Sequence, residues 1–142
     1  SSGHRHKVTL VDEAAEDFGM RLAMVYGTMY HGEQPGKAGV PFYHAFRRQV
    51  MECEFEDPGG DSRERAIVIH GAADNVVGVA AEYLYLTWKF GTEGKDWKRG
   101  PQVLLREGER RWDRIDVTFP SGKTESVYFE VTSFTGKCHD GQ

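Results

Sequence analysis

Apolar and polar residues alternate most regularly in residues 110–134, where two such runs flank the sequence Pro-Ser-Gly-Lys at residues 120–123. This arrangement is typical of two β-strands joined by a hairpin turn. The apolar positions of the two runs are Ile115, Val117, Phe119, Val127, Phe129 and Val131. The hairpin therefore predicts a sheet with one buried face, and an opposite face that carries Asp116, Tyr128 and Glu130.

A helical pattern occupies residues 9–30, where apolar side chains recur at helical spacing and form one stripe. Thr9 could cap this helix, and Asp12 would favour the positive end of its dipole. Glycine and proline interrupt residues 31–40, which predicts a loop, and a short second helix is predicted over residues 41–48. The chain therefore begins with one or two helices.

The pattern changes to that of strands after the second helix. Residues 49–56 alternate between apolar and acidic side chains, and residues 57–61 contain the glycine, proline and aspartate of a turn. Residues 65–70 would return as a second strand. After a glycine-rich loop at residues 91–101, residues 103–105 begin a further strand that leads into the hairpin.

The segment before that loop fits two patterns. A helix could begin after Asp74, whose side chain is a favoured helix cap. Residues 82–90, however, alternate strictly between apolar and polar side chains and are rich in aromatic residues, which favours a strand. We therefore predict a strand here, with Tyr83 and Tyr85 on its polar face and Trp88 on its apolar face.

These elements predict a single α+β domain over residues 7–142, in which one or two N-terminal helices pack on a curved antiparallel sheet of about five or six strands. A chain of 142 residues is long enough to bury a substantial core. Trp88, Phe119 and Phe129 would belong to that core or line a cavity in it. Residues 1–6 look like the remnant of an expression tag.

Composition excludes several classes of partner. The net charge is −4, so we expect no nucleic-acid partner, and no apolar run is long enough for a membrane helix, so we expect no membrane partner. Cys53 and Cys138 are too few and too far apart for a disulfide framework or a structural zinc site. A reducing, cytoplasmic location is the default expectation.

His70 is the best candidate for acid–base chemistry, because it ends a predicted strand and imidazole titrates near neutral pH. Asp74 follows it closely, and Asp116 is a second carboxylate that could pair with it. A histidine that is simply hydrogen-bonded in a turn is the alternative. The histidines show no metal-ligand spacing and no phosphate-binding loop occurs, so neither a metal nor a cofactor is predicted.

The hairpin carboxylates suggest another chemistry. Asp116 and Glu130 would point to one face of adjacent strands, which resembles the core of the restriction-endonuclease-like superfamily, where an Asp and a Glu-x-Lys hold a divalent metal. Thr132 stands where that lysine should be, and few residues follow it. A metal-dependent nuclease, active or degenerate, is therefore the third functional alternative.

Tyrosines predict an interaction surface. Tyr83, Tyr85 and Tyr128 would lie together on the polar face of the sheet among charged residues, and tyrosine is enriched in protein interfaces. This face is expected to bind a protein partner or a second copy of the chain. The alternative is a half-exposed sheet with ordinary cross-strand packing.

The layout resembles the nuclear-transport-factor-like or SnoaL-like α+β cone superfamily, in which N-terminal helices pack into a strongly curved antiparallel sheet. The similarity covers the predicted meander of residues 79–134, with its turn at Gly122 and Lys123. The resemblance implies a homodimer that packs sheet against sheet. It also implies either a small-molecule isomerase, hydrolase or dehydratase that uses an Asp or His in the cone, or a non-catalytic binder. No acidic residue is assigned to the apolar face of the sheet, so no catalytic residue is carried over.

The leading hypothesis is a small, non-catalytic binding or accessory protein. It would dimerise or bind a partner through the tyrosine-rich sheet face, and it could hold an apolar ligand between the helices and the sheet. The alternative is a small pocket enzyme that uses His70 with a nearby carboxylate.

Overall fold

The structure is a computed structural model that describes residues 4–29 and 40–135. The elements in chain order are β1 (Arg5–His6), α1 (Asp12–Met29), α2 (Val40–Met51), β2 (Glu54–Glu56), β3 (Ile67–His70), α3 (Asn75–Phe90), β4 (Lys98–Glu107), β5 (Arg110–Thr118) and β6 (Thr124–Glu130). The predicted α+β class, with N-terminal helices and a curved sheet, is confirmed. Cys138 and most of the predicted loop at residues 31–40 lie outside the described residues.

All six strands form one sheet in the order β1-β2-β3-β6-β5-β4. The neighbours are antiparallel except β3 and β6, which run parallel, with Ile67 opposite Phe129. The sheet is therefore mixed, and not purely antiparallel as predicted. A parallel pair requires a long crossover, which α3, β4 and β5 provide here.

The predicted hairpin is confirmed. Strands β5 and β6 pair from Trp112 opposite Glu130 to Thr118 opposite Thr124. Gly122 lies in the turn with φ 91°, a conformation that glycine adopts without steric cost. Strand β1 falls within the segment predicted to be a tag remnant and pairs with β2. The origin of that segment stays a prediction.

The predicted strand at residues 82–90 is wrong, because these residues belong to helix α3. Asp74 caps the helix by accepting a hydrogen bond of 3.0 Å from the backbone N–H of Val77. The helix is buried on several sides, so apolar residues occur almost all around it and the helical period is hidden. Trp88, predicted to lie in the core or to line a cavity, instead has 43% of its surface exposed.

Several boundaries also differ from the prediction. Helix α1 begins at Asp12, so Thr9 lies too far upstream to cap it. Helix α2 extends to Met51, and β2 has only three residues, because the alternation of residues 49–56 combines the end of a helix with a short strand. Strand β4 begins at Lys98, inside the predicted loop.

The core lies between the helices and one face of the sheet, which we call the inner face. Tyr85 of α3 packs against Phe55 of β2 and Phe129 of β6, with ring centroids 5.5 and 5.6 Å apart. Helices α1 and α2 pack against α3. Phe129 is fully buried, and Phe119 packs beside the core against Phe90. Among the described helices, none is long and apolar enough to cross a membrane.

Candidate functional site

A pocket of about 330 Å³ lies between α1, α3 and the segment that leads into β4. Its apolar wall consists of Phe18, Leu22, Met24, Val25, Val79 and Ala80. Its polar wall consists of Arg21, Tyr83, Glu93 and Arg99. Apolar walls with a few convergent polar groups are the usual composition of a small-molecule site.

Charges on the polar wall are paired. Glu93 forms ion pairs with two arginines, with Arg21 Nη1 3.8 Å from Oε1 and Arg99 Nε 3.6 Å from Oε2. Arg21 also contacts Asp17, one helical turn earlier, at 2.7 Å. These contacts hold the arginines in place and neutralise much of their charge.

Tyr83 connects the pocket to the sheet. Its hydroxyl donates to Gln102 Oε1 at 3.1 Å and accepts from Arg99 Nη1 at 3.2 Å, while the Arg99 guanidinium lies 4.7 Å from the centre of its ring. Burial raises the pKa of Tyr83, although Arg99 opposes that effect. The side chain is therefore a neutral phenol at physiological pH.

The network continues inward to a buried carboxylate. Gln102 Nε2 donates to Asp113 Oδ2 at 3.2 Å. Asp113 lies on the inner face of β5, opposite Phe129, and is only 7% exposed. Hydrogen bonds therefore run without interruption from the pocket wall to Asp113.

Glu82 lies beside Asp113 and is completely buried. Its position one turn before Tyr85 on α3 directs it toward the sheet. Its carboxyl oxygens have no hydrogen-bond partner other than the adjacent Asp113 carboxyl. Burial raises the pKa of Glu82 well above its ordinary value, and the adjacent Asp113 carboxyl raises it further. Both effects favour the protonated form of Glu82 over the charged form.

This carboxyl pair, Glu82 and Asp113, was missed by the sequence reasoning. The hairpin pattern already places Asp113 in register with Ile115 and Val117 on the apolar face, so the expectation that no acid lies there is wrong. In the alternation that was interpreted as a strand, Glu82 lies on the same side as Leu84. For both Asp113 and Glu82, the available signal was an acidic residue at a position that the pattern assigns to the apolar face.

His70 lies elsewhere, on the opposite or outer face of the sheet. Its Nε2 atom is 3.0 Å from Glu56 Oε1 on the neighbouring strand, and both side chains are partly exposed. Asp74 caps α3, and Asp116 accepts a 2.7 Å hydrogen bond from Ser126 Oγ. The structure thus gives His70 a different carboxylate partner from the two that were predicted.

Asp116 and Glu130 do share the outer face, but they are held by different partners. Asp116 is 3.3 Å from Arg114 Nε. Glu130 accepts two hydrogen bonds from Arg110, at 2.9 and 3.1 Å, and this contact lowers its pKa. In the part of the chain that the structure describes, no group of three or more His, Cys, Asp and Glu residues could hold a metal ion.

The predicted tyrosine-rich sheet face is wrong, because two of its three tyrosines lie on α3. Tyr83 lines the pocket, and Tyr85 is buried with its hydroxyl 2.5 Å from Asp57 Oδ2. Tyr128 remains on the outer face, opposite Arg114. Of the three tyrosines expected on this face of the sheet, Tyr128 alone lies there.

No protein-family model, no curated protein and no solved structure matches this chain. The pocket is therefore the feature of the molecule that points to a function.

Proposed function

We propose that this protein is a small-molecule-binding protein whose ligand occupies the pocket between α1 and α3. The observation that carries the proposal is the pocket itself, about 330 Å³ with an apolar wall and one polar wall. Such a site suits a compact ligand with an apolar body and a polar end. The polar groups would fix its orientation, and the apolar wall would supply most of the binding free energy.

Exposed apolar side chains at the mouth support this proposal. Met24 is 70% exposed and Val25 is 40% exposed, and both line the pocket. Grouped apolar surface of this kind often marks a binding site. A bound ligand would cover part of it, which adds to the favourable free energy of binding.

The layout also agrees with the cone resemblance. Helices cover one face of a curved sheet, and the meander β4-β5-β6 ends the described part of the chain. Membership of the nuclear-transport-factor-like or SnoaL-like superfamily is part of the proposal. If the protein is a pocket enzyme, the acid would come from the carboxyl pair, because His70 lies on the outer face.

Dimerisation through the outer face remains a second part of the proposal. On that face Trp112 lies between the guanidinium groups of Arg63 and Arg110, 5.1 and 4.8 Å from its ring centre, and Tyr128 is half-buried nearby. Sedimentation at micromolar concentration should show a dimer that Tyr128→Glu dissociates. A monomer for the unmodified protein would end this part of the proposal.

A cytoplasmic location is also proposed, on the evidence of Cys53. This cysteine is a buried free thiol, and burial raises its pKa to about 11, so it stays protonated and unreactive. A reducing compartment suits such a residue. Detection of the native protein in an oxidising compartment would contradict this location.

The pocket is tested with N-phenylnaphthylamine, a neutral apolar dye whose fluorescence rises when it leaves water. We expect the dye to bind, and Met24→Glu to weaken binding about tenfold because a charge would stand at the mouth. Met20→Glu is the matched control, since Met20 lies on the same helix with 66% exposure but outside this pocket. Equal effects of the two substitutions would contradict the proposed site.

A further inference from the structure

A β-bulge shapes the strand that contributes Arg99 to the pocket. Arg99 of β4 is opposite Val117 of β5, and Gln102 is opposite Ile115, so β4 contains one residue more than β5 between these two pairs. Val117 and Ile115 are fully buried on the inner face. The extra residue therefore lets both Arg99 and Gln102 face inward, beside the pocket. Bulges often re-aim a side chain in this way next to a functional site.

The guanidinium group of Arg99 has hydrogen-bond donors that the protein does not use. Among the described residues, its one hydrogen bond runs from Nη1 to the Tyr83 hydroxyl at 3.2 Å. The contact between its Nε atom and Glu93 Oε2 is 3.6 Å, which is longer than a hydrogen bond. Arg99 lines the pocket and its side chain is half-exposed, so its remaining N–H groups are accessible to a ligand.

The position of this guanidinium is fixed by its neighbours. Its plane lies over the ring of Tyr83, with 4.7 Å between the guanidinium carbon and the ring centre. Glu93 is itself held by Arg21, which donates from Nη2 to the Glu93 backbone oxygen at 3.1 Å. Arg21 is in turn paired with Asp17 at 2.7 Å. A planar guanidinium held in this way is well suited to form two parallel hydrogen bonds to a carboxylate.

We propose that the ligand of the pocket is a compact carboxylic acid, whose carboxylate binds the guanidinium of Arg99. This inference rests on the proposed binding function and specifies its ligand class. The apolar body of the acid would lie against the apolar lining, which includes Phe18, Leu22 and Ala80. A ligand of this kind has the one polar end and the one apolar end that the two walls of the pocket require.

The charges of the lining also favour a singly charged anion. Arg21 and Arg99 are cations and Glu93 is an anion, so the formal charge of the lining is positive. Because Asp17 already pairs with Arg21, Arg99 is the cation that a ligand would contact. A phosphate would place a second negative charge beside Glu93, which is less favourable than a carboxylate with a single charge.

The inference is tested with 3-phenylpropionate and 3-phenylpropionamide, which have the same shape and differ in the charge of the end group. Nuclear magnetic resonance titration near neutral pH should show that the acid binds at least about tenfold more tightly than the amide, as expected for hydrogen bonds between charged groups. Arg99→Gln should remove most of that preference. Arg106→Gln is the matched control and should keep it, since Arg106 is an exposed arginine of the same strand outside the pocket lining.

Arg99→Lys gives a second test, which holds even if Arg99→Gln does not fold, because it keeps the positive charge beside Glu93. The preference for the acid should fall several-fold in this variant, since an ammonium group lacks the planar fork of a guanidinium. Equal affinity of the unmodified protein for acid and amide, or a preference that Arg99→Gln and Arg99→Lys leave unchanged, would overturn the inference while leaving the pocket in place. If neither compound binds, the proposed binding function fails as well.

Discussion

At the scale of single residues, the most informative side chain is Glu82. A helix position one turn before a core tyrosine ordinarily holds an apolar residue, and here it holds a completely buried acid. Its neighbour Asp113 interrupts an apolar strand register in the same way. Burial of the Glu82 carboxyl costs stability, so a functional reason for this residue is expected.

The pH dependence of stability should report on Glu82. Its pKa is raised above the ordinary 4.5 by burial first and by Asp113 second. As pH rises above 4.5 the unfolded chain loses this proton while the folded protein keeps it, so the free energy of unfolding falls. Glu82→Gln cannot titrate, and above about pH 7 it should be more stable than the unmodified protein by about 1–3 kcal/mol.

Urea denaturation across the pH range measures this difference. Glu125→Gln is a suitable control, because Glu125 is a partly exposed strand residue whose contact is with Lys123. The control should follow the unmodified protein at every pH. Parallel curves for Glu82→Gln and the unmodified protein would show that Glu82 does not titrate as described.

At the scale of elements, helix α3 organises the domain, since it packs against α1, α2 and β3. Close packing explains Gly78 in its first turns, where an added Cβ would lie 2.2 Å from Cε1 of the buried Phe134 ring. By contrast, a Cβ at Gly19 of α1 would have no heavy atom within 4 Å. The two helical glycines therefore have different roles.

Alanine substitution separates these roles. Gly78→Ala should destabilise the protein by about 1–3 kcal/mol through overpacking against Phe134. Gly19→Ala should stabilise it by about 0.5–1 kcal/mol, because alanine favours a helix more than glycine does. Denaturation midpoints measure both effects. A change of the same sign in the two variants would contradict the packing described for α3.

How far the sequence predicts these elements depends on how each is buried. The hairpin is predictable because Ile115 and Val117 face the core while Asp116 faces the outer side. Helix α3 is not, because its neighbours bury it on several sides and the aromatic residues among 82–90 mimic a strand. The pocket depends on contacts between residues far apart in the chain, such as Arg21 with Glu93, which no local pattern contains.

At the scale of the whole molecule, the pocket lies where the helix layer does not cover the sheet. Gln102 and Leu104 of β4 face inward, opposite Ile115 and Asp113, yet Leu104 is 43% exposed. The inner face of the edge strand is therefore open beside α3, whereas the inner face of β5 and β6 is buried. The open region lies next to Tyr83, whose hydroxyl donates to Gln102.

The central claim, a ligand site between α1 and α3, is tested most directly by locating a bound apolar compound. Backbone amide resonances should be followed while phenethyl alcohol is added to the protein. Saturable shifts are expected to concentrate at residues 18–25, 79–83 and 93–102, which surround the pocket. Shifts confined to the outer face of β5 and β6, or the absence of saturable shifts, would contradict it.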